Sequence, residues 1–139
     1  MELIKTIHES RGLRTQWQNE QRRVSLVPTM GALHAGHLSL VRRARELSDR
    51  VVVSIFVNPT QFGPNEDFER YPRSWDKDLD LLKEHLVDAV YAPEVSEVYP
   101  PGFRTFVTVE ELSQKLCGVT RPGHFRGVTT IVCKLLTIW

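Results

Sequence analysis

The sequence predicts an α/β protein built on a doubly wound parallel sheet, and three observations carry that expectation. The run "VVVSIFV" (residues 51–57) is nearly all apolar and β-branched, the composition of a strand covered on both faces. Shorter apolar runs, "VSLV" and "DAVYAP", lie before and after it. Segments with helical spacing separate these runs, and a β-α-β-α-β order favours parallel strands joined by crossover helices.

Taken in order, residues 3–19 are expected to form a first helix, with Leu3, Ile4, Ile7, Leu13 and Trp17 as an uneven apolar stripe. Residues 24–27 read as a short buried strand stopped by Pro28. From His37 onward the apolar positions are Leu38, Val41, Ala44 and Leu47, with Leu40 widening the face, a helical spacing. Arg42, Arg43, Arg45 and Glu46 fall on the other, solvated side. The strand over 51–57 ends at Asn58-Pro59, a turn signal. Residues 58–73 contain three prolines and one glycine and are expected to be a long loop, the kind that often carries function. Ser74 is placed to cap a helix bearing Leu79, Leu82 and Leu86. "DAVYAP" gives a third strand and "FRTFVTV" a fourth, "VEELSQKL" a short helix, and "GVTTIVCKLLTIW" a helix with Val128, Ile131, Val132 and Leu135 on one face.

With 139 residues and 41% hydrophobic composition, one globular core is expected. Eighteen basic against 17 acidic residues leave a net charge of +1, so no electrostatic case exists for nucleic acid as a partner. Cys117 and Cys133 suggest neither a disulfide framework nor a metal knot. The N-terminus lacks the apolar core of a signal peptide, and no apolar run reaches membrane-spanning length. The expectation is a cytoplasmic protein without a membrane partner.

In a doubly wound sheet, ligands sit beyond the carboxyl ends of the strands. Residues 28–37 and 58–73 both follow such ends, so the two richest segments converge on one edge. The first, "PTMGALHAGH", sets His34 and His37 around Gly36 where a strand gives way to a helix. A helix N-terminus offers unpaired N–H groups and partial positive charge to phosphate. Gly31 and Gly36 would let backbone approach a nucleotide closely, and two imidazoles would add donors at the same point. No third acidic or thiol ligand lies nearby in sequence, so no metal site is expected there. The bare His-x-Gly-His string arises often by chance; its strand–helix context is what favours function. His8 and His85 have no such context, and His85 reads as a helix-boundary residue.

"VPTMGALHAGHLSLV", "VVVSIFVNPTQFGPNEDFERYPR" and "RPGHFRGVTTIVCKL" resemble the signature segments of the pantothenate synthetase (pantoate–β-alanine ligase) family. That family lies in the HxGH nucleotidyltransferase superfamily, with a Rossmann-like fold. The resemblance runs from about residue 24 to the end of the chain. It implies condensation of pantoate with β-alanine through a pantoyl adenylate, with ATP and Mg²⁺ carried on the triphosphate, and a homodimer. It also implies that Met30, Gly31, Ala32, Leu33, His34, Ala35, Gly36 and His37 form the ATP segment. His37 is the position the family treats as its proton donor. The chemistry itself asks less of His34 and His37, which need only donate hydrogen bonds to phosphoryl oxygens.

Gln61 matches the family's pantoate- and β-alanine-contacting glutamine, and an amide can both accept from a hydroxyl and donate to a carboxylate. Asn58 shares that neighbourhood, although a turn before Pro59 explains it equally well. Tyr71, Pro72 and Arg73 are expected to shape the same loop. Arg121, His124 and Arg126, around two glycines, read as a second anion-facing corner, a structural turn or a subunit contact. Family members run to roughly twice this length. Residues 1–139 are therefore expected to be the N-terminal part of the nucleotide-binding domain, without the C-terminal domain and weak or inactive alone. The competing expectations are another HxGH nucleotidyltransferase, against which the "NPTQFGPNEDFERYPR" loop argues, and a non-catalytic nucleotide-binding or assembly module.

Overall fold

The structure, a computed structural model, describes residues 1–63 and 74–139. Its frame is a four-stranded, wholly parallel sheet of β1 (Glu2–Ile4), β2 (Val24–Thr29), β3 (Arg50–Ile55) and β4 (Ala89–Tyr91), in the order β1-β4-β3-β2. Helices α1 (Ile7–Asn19), α2 (Ala35–Leu47), α3 (Trp75–Glu84), α4 (Val95–Val98), α5 (Cys117–Thr120) and α6 (His124–Ile138) complete it.

Side-chain alternation along β3 explains the two layers that cover the sheet. Val51 and Val53 point to one face and pack with Val41 and Ala44 of α2 and Leu82 of α3. Val52 points to the other and packs with Leu13 and Trp17 of α1 and Ile131, Leu135 and Ile138 of α6. Both clusters are closed to solvent, so the expected doubly wound arrangement is the observed one.

Four local expectations change. Leu3 and Ile4 do not begin a helix; they belong to β1, which pairs with β4 in the register Leu3↔Val90. The helix is held off until Ile7 by a capping box in which Thr6 Oγ1 accepts from the Glu9 N–H and Glu9 Oε2 accepts from the Thr6 N–H. Pro28 does not stop β2, which runs on to Thr29 with Pro28 paired to Ser54. β2 has a neighbour on one side only among the described residues, and such a position tolerates a missing N–H. Residues 103–109 form no strand; Val107 is tied to α6 instead, donating its N–H to Thr130 Oγ1 and accepting from Thr129 Oγ1. The helix expected over 109–116 is a single 3₁₀ turn, Leu112–Gln114.

Ser74 stands at the N-cap position of α3 but makes no side-chain cap; its hydroxyl donates to Asp78 Oδ1 at 3.1 Å. Leu82 is buried, whereas Leu86 lies past the helix end and is largely exposed. Tyr71, Pro72 and Arg73, with the rest of 64–73, lie outside the described residues.

Candidate active site

Two turns leave the carboxyl edge of the sheet, one after β2 and one after β3. After Thr29 the chain passes through two left-handed residues, Gly31 (φ +85°) and Ala32 (φ +52°). For alanine that conformation costs about 1 kcal/mol. A buried carboxylate offsets it: Asp78 of α3 accepts from Ala32 N–H through Oδ2 and from Leu33 N–H through Oδ1, each at 2.8 Å. The Gly31 N–H goes to Thr29 Oγ1, whose own hydroxyl donates to the Ser54 carbonyl.

His34 then caps α2 with its ring. Its Nδ1 accepts from Gly36 N–H at 3.1 Å, and His37 Nδ1 accepts from His34 N–H at 3.4 Å. Acceptance at Nδ1 puts the proton of each neutral ring on Nε2. The rings lie 4.1 Å apart between centroids, tilted by 49°, so the two imidazoles are neighbours. Gly36 is what lets the His34 ring fold back: a Cβ there would stand 2.9 Å from His34 Cε1.

The role expected for the glycines changes accordingly. The space at Gly36 is taken by the His34 ring, and that at Gly31 by the Asp78 carboxylate, 3.2 Å from where a Cβ would be. Most backbone donors of 31–36 are likewise engaged within the chain, leaving the imidazoles as the main donors for an anion. Leu33 is a core residue, packed in the cluster with Val41 and Val53, while Met30 is half-buried and Ala35 exposed.

Burial first, and the neighbouring His34 second, hold the His37 imidazole below the usual histidine range, against an opposing pull from Asp78. The unfolded chain, with an ordinary value of about 6.5, therefore binds this proton more readily than the fold. The stability His37 contributes is complete above that unfolded value and is lost as pH falls through it toward the folded one. Ring-proton NMR is expected to show His37 neutral at pH 7 and titrating below about 6.5; a midpoint above that would contradict the arrangement.

The second turn is a 3₁₀ turn, Pro59–Gln61, which sits on α6. Asn58 is its buried pin, 1% exposed. Its Nδ2 donates to the Gly127 carbonyl (3.1 Å) and to Gln61 Oε1 (2.9 Å), while its Oδ1 accepts from Tyr99 Oη (2.9 Å) and Thr60 N–H (3.3 Å). Burial holds the Tyr99 hydroxyl above the usual phenol range, so it remains a donor. A backbone carbonyl can only accept and a backbone N–H can only donate, which settles how the Asn58 amide faces. Gln61 Oε1 therefore points inward to Asn58, and Gln61 Nε2 is the end left for a ligand. Asn58 is placed beneath Gln61, where it orients that side chain.

Arg121 and His124 hold the same turn from outside. Arg121 Nη2 lies 3.2 Å and His124 Nδ1 2.9 Å from the Gln61 carbonyl oxygen. Of the three readings of that corner, the structural turn accounts for these contacts. Arg126 instead stacks its guanidinium 3.8 Å from the Phe106 ring centre.

The two turns share a cavity of about 310 Å³, with His37 and Gln61 as polar lining and Met30, Val128, Ile131 and Val132 among its apolar walls. A sequence model of pantoate-beta-alanine ligases matches residues 2–139. The chain belongs to the pantoate-beta-alanine ligase family. It is 57% identical to the pantothenate synthetase of Thermotoga neapolitana and 58% identical to that of Roseiflexus castenholzii, in each case over 99% of this chain and 49% of the relative. Among solved structures, pantothenate synthetase from Thermus thermophilus superposes with a TM-score of 0.91 at 48% identity, over 99% of this chain and 49% of that one. Pantoate-beta-alanine ligase from Francisella tularensis, complexed with beta-gamma ATP and beta-alanine, gives 0.92 at 41%, over 99% and 53%. The chain thus spans about half the length of the curated relatives it matches.

Within this family member, His37 and Gln61, both singled out from the sequence, line one cavity. His34 stands beside His37. Asp78 and Gly127 were not singled out from sequence. Asp78 carried a signal: it falls four residues before Leu82 on the apolar stripe of α3, where a carboxylate needs a buried partner. Gly127 carried none, because its nearest neighbour is the Thr60 backbone, far away in sequence.

Proposed function

We propose that this chain supplies the ATP- and pantoate-binding corner of a pantoate–β-alanine ligase that works through a pantoyl adenylate. The observation carrying this reading is the shared cavity, which brings the His37 imidazole and the Gln61 side chain together with an apolar wall from α6. Pantoate has a carboxylate, two hydroxyls and a gem-dimethyl carbon, and each part has a counterpart there. The Gln61 N–H groups suit its oxygens, and Ile131 and Val132 suit its methyls.

In this mechanism a carboxylate oxygen of pantoate bonds to the α-phosphorus of ATP while the bond to the bridging oxygen of pyrophosphate breaks. His34 and His37 donate Nε2–H to the phosphoryl oxygens on which charge grows. The β-alanine nitrogen then bonds to the acyl carbon, gives up a proton, and AMP leaves. Mg²⁺ arrives on the triphosphate; among the described residues no group of three or more His, Cys, Asp or Glu could hold a metal. The half-length match supports treating residues 1–139 as the N-terminal part of a nucleotide-binding domain. ATP as substrate favours the cytoplasm. No helix among the described residues is long and apolar enough to cross a membrane. Exposed Leu112, Leu116, Val119 and Leu136 support the expected homodimer.

The test is pantoate-dependent exchange of labelled pyrophosphate into ATP, with sedimentation of the same sample to read its assembly against the 16.0 kDa monomer. His37→Ala is expected to lower exchange by about 100-fold or more. Gln61→Ala is expected to raise the pantoate requirement while ATP binding is kept. Exchange that runs equally well without pantoate would refute the assignment; nucleotide binding without any exchange would reduce it to a binding module. A purely monomeric sample would remove the homodimer.

A further inference from the structure

Asp78 is a buried carboxylate, 2% exposed, and no cation pairs with it among the described residues. Its three partners are the Ala32 and Leu33 N–H groups and the Ser74 hydroxyl. Two of those three lie in the turn that ends at His34, and both are charge-assisted bonds to consecutive amides. The turn is left-handed at Gly31 and Ala32, which aims successive N–H groups into one concavity, the geometry that otherwise receives an external anion. Here the anion is built into α3. Gly31 has no Cβ to obstruct it, since the nearest Asp78 oxygen would lie only 3.2 Å from such an atom.

We propose that Asp78 is the positioning residue of the nucleotide turn: its carboxylate occupies the concavity at 31–33 and thereby fixes where His34 and His37 stand. The connection is short and covalent. Leu33 is clamped through its N–H and its core side chain, His34 follows directly, and the His34 N–H bonds to His37 Nδ1. A displaced turn therefore displaces both rings. The same carboxylate excludes the triphosphate from those amides, leaving it to the imidazoles. This rests on reading the corner as the nucleotide site.

The test compares the wild-type chain with Asp78→Asn and with Leu82→Ala. Leu82 is fully buried on the same helix, and its truncation destabilises α3 through a cavity without touching the carboxylate. Asp78→Asn keeps one acceptor oxygen but turns an amide NH₂ toward the second N–H. Hydrogen exchange at the Ala32 and Leu33 amides is expected to quicken about tenfold in Asp78→Asn, beyond any change in the β3 amides. The His34 and His37 ring-proton shifts are expected to move with it. In Leu82→Ala those amides should follow the global change, with the ring shifts in place.

Ring signals in Asp78→Asn that coincide with wild type, or that change only as in Leu82→Ala, would overturn the proposal. ATP titration supplies the separate check. Where the wild-type chain binds ATP, Asp78→Asn is expected to bind about tenfold more weakly, and unaltered affinity counts against the proposal. A wild-type chain that binds no ATP would remove the nucleotide reading, while the ring signals would still decide the part played by Asp78.

Discussion

Gly127→Ala is expected to destabilise the chain by about 3 kcal/mol, although alanine is the better helix former. The added Cβ would stand 2.3 Å from the Thr60 carbonyl oxygen, 2.6 Å from its carbon and 2.8 Å from the Gln61 nitrogen. All three are backbone atoms and cannot rotate aside, so either α6 or the 3₁₀ turn must move. Movement of the turn breaks the bond from Asn58 Nδ2 to the Gly127 carbonyl and carries Gln61 off the cavity. Gly12 supplies the control, because a Cβ on it meets nothing within 4 Å. There, within α1, alanine should add roughly 0.5–1 kcal/mol. Urea unfolding of both variants reads the contrast. A Gly127→Ala chain as stable as its parent would mean that turn and helix do not approach as described.

Asn58→Asp should cost about as much at pH 8, roughly 3–5 kcal/mol, and less at pH 5. The substitution replaces Nδ2, which donates to the Gly127 carbonyl and Gln61 Oε1, with an oxygen facing two acceptors. Asn58 is 1% exposed, so a charge there cannot be hydrated. The fold will therefore raise the new carboxyl above its unfolded value of about 3.9. A raised carboxyl loses stability as pH climbs from the unfolded value toward the folded one, and regains it below. Asn58→Ala removes the same donor without a charge, and is expected to cost roughly 2–3 kcal/mol with no such slope. The acid variant should also turn the Gln61 amide over, presenting oxygen where Nε2 had been, and so weaken recognition of a carboxylate. An equal loss relative to wild type at the two pH values would show that residue 58 is not sealed from water.

Periodicity was informative wherever packing is local. The uninterrupted "VVVSIFV" run required a strand covered on both faces, and β3 is covered by α2 and α3 on one side and α1 and α6 on the other. Spacing from Leu38 to Leu47 gave α2. Leu3 and Ile4 misled because two apolar residues before a helix look like its first turn; the Thr6-x-x-Glu9 capping box was the sign that the helix starts later. "FRTFVTV" misled in the opposite direction, since the Val107 backbone is satisfied by hydroxyls of α6 and not by a ladder.

At the site, His34 and His37 could be read because donor and acceptor lie on one turn of chain. Gln61 was reached through resemblance, but the direction of its amide was not, because that depends on the Gly127 carbonyl acting through Asn58. Asp78 and Gly127 act across 45 and 69 positions of sequence, beyond any periodic pattern.

The dependence of the Gln61 turn on α6 also sets a timetable. As the chain leaves the ribosome, the hydrogen bonds of the His34–His37 cap are local, but the turn that carries them gains its anchor only when Asp78 has been made. The Gln61 corner has no floor until Gly127 has been made, and its outer braces, Arg121 and His124, arrive only shortly before. Such long loops close slowly and late. The nascent chain thus holds every partner of the turn after β2 once Asp78 is made, well before the turn after β3 has its own in Arg121, His124 and Gly127.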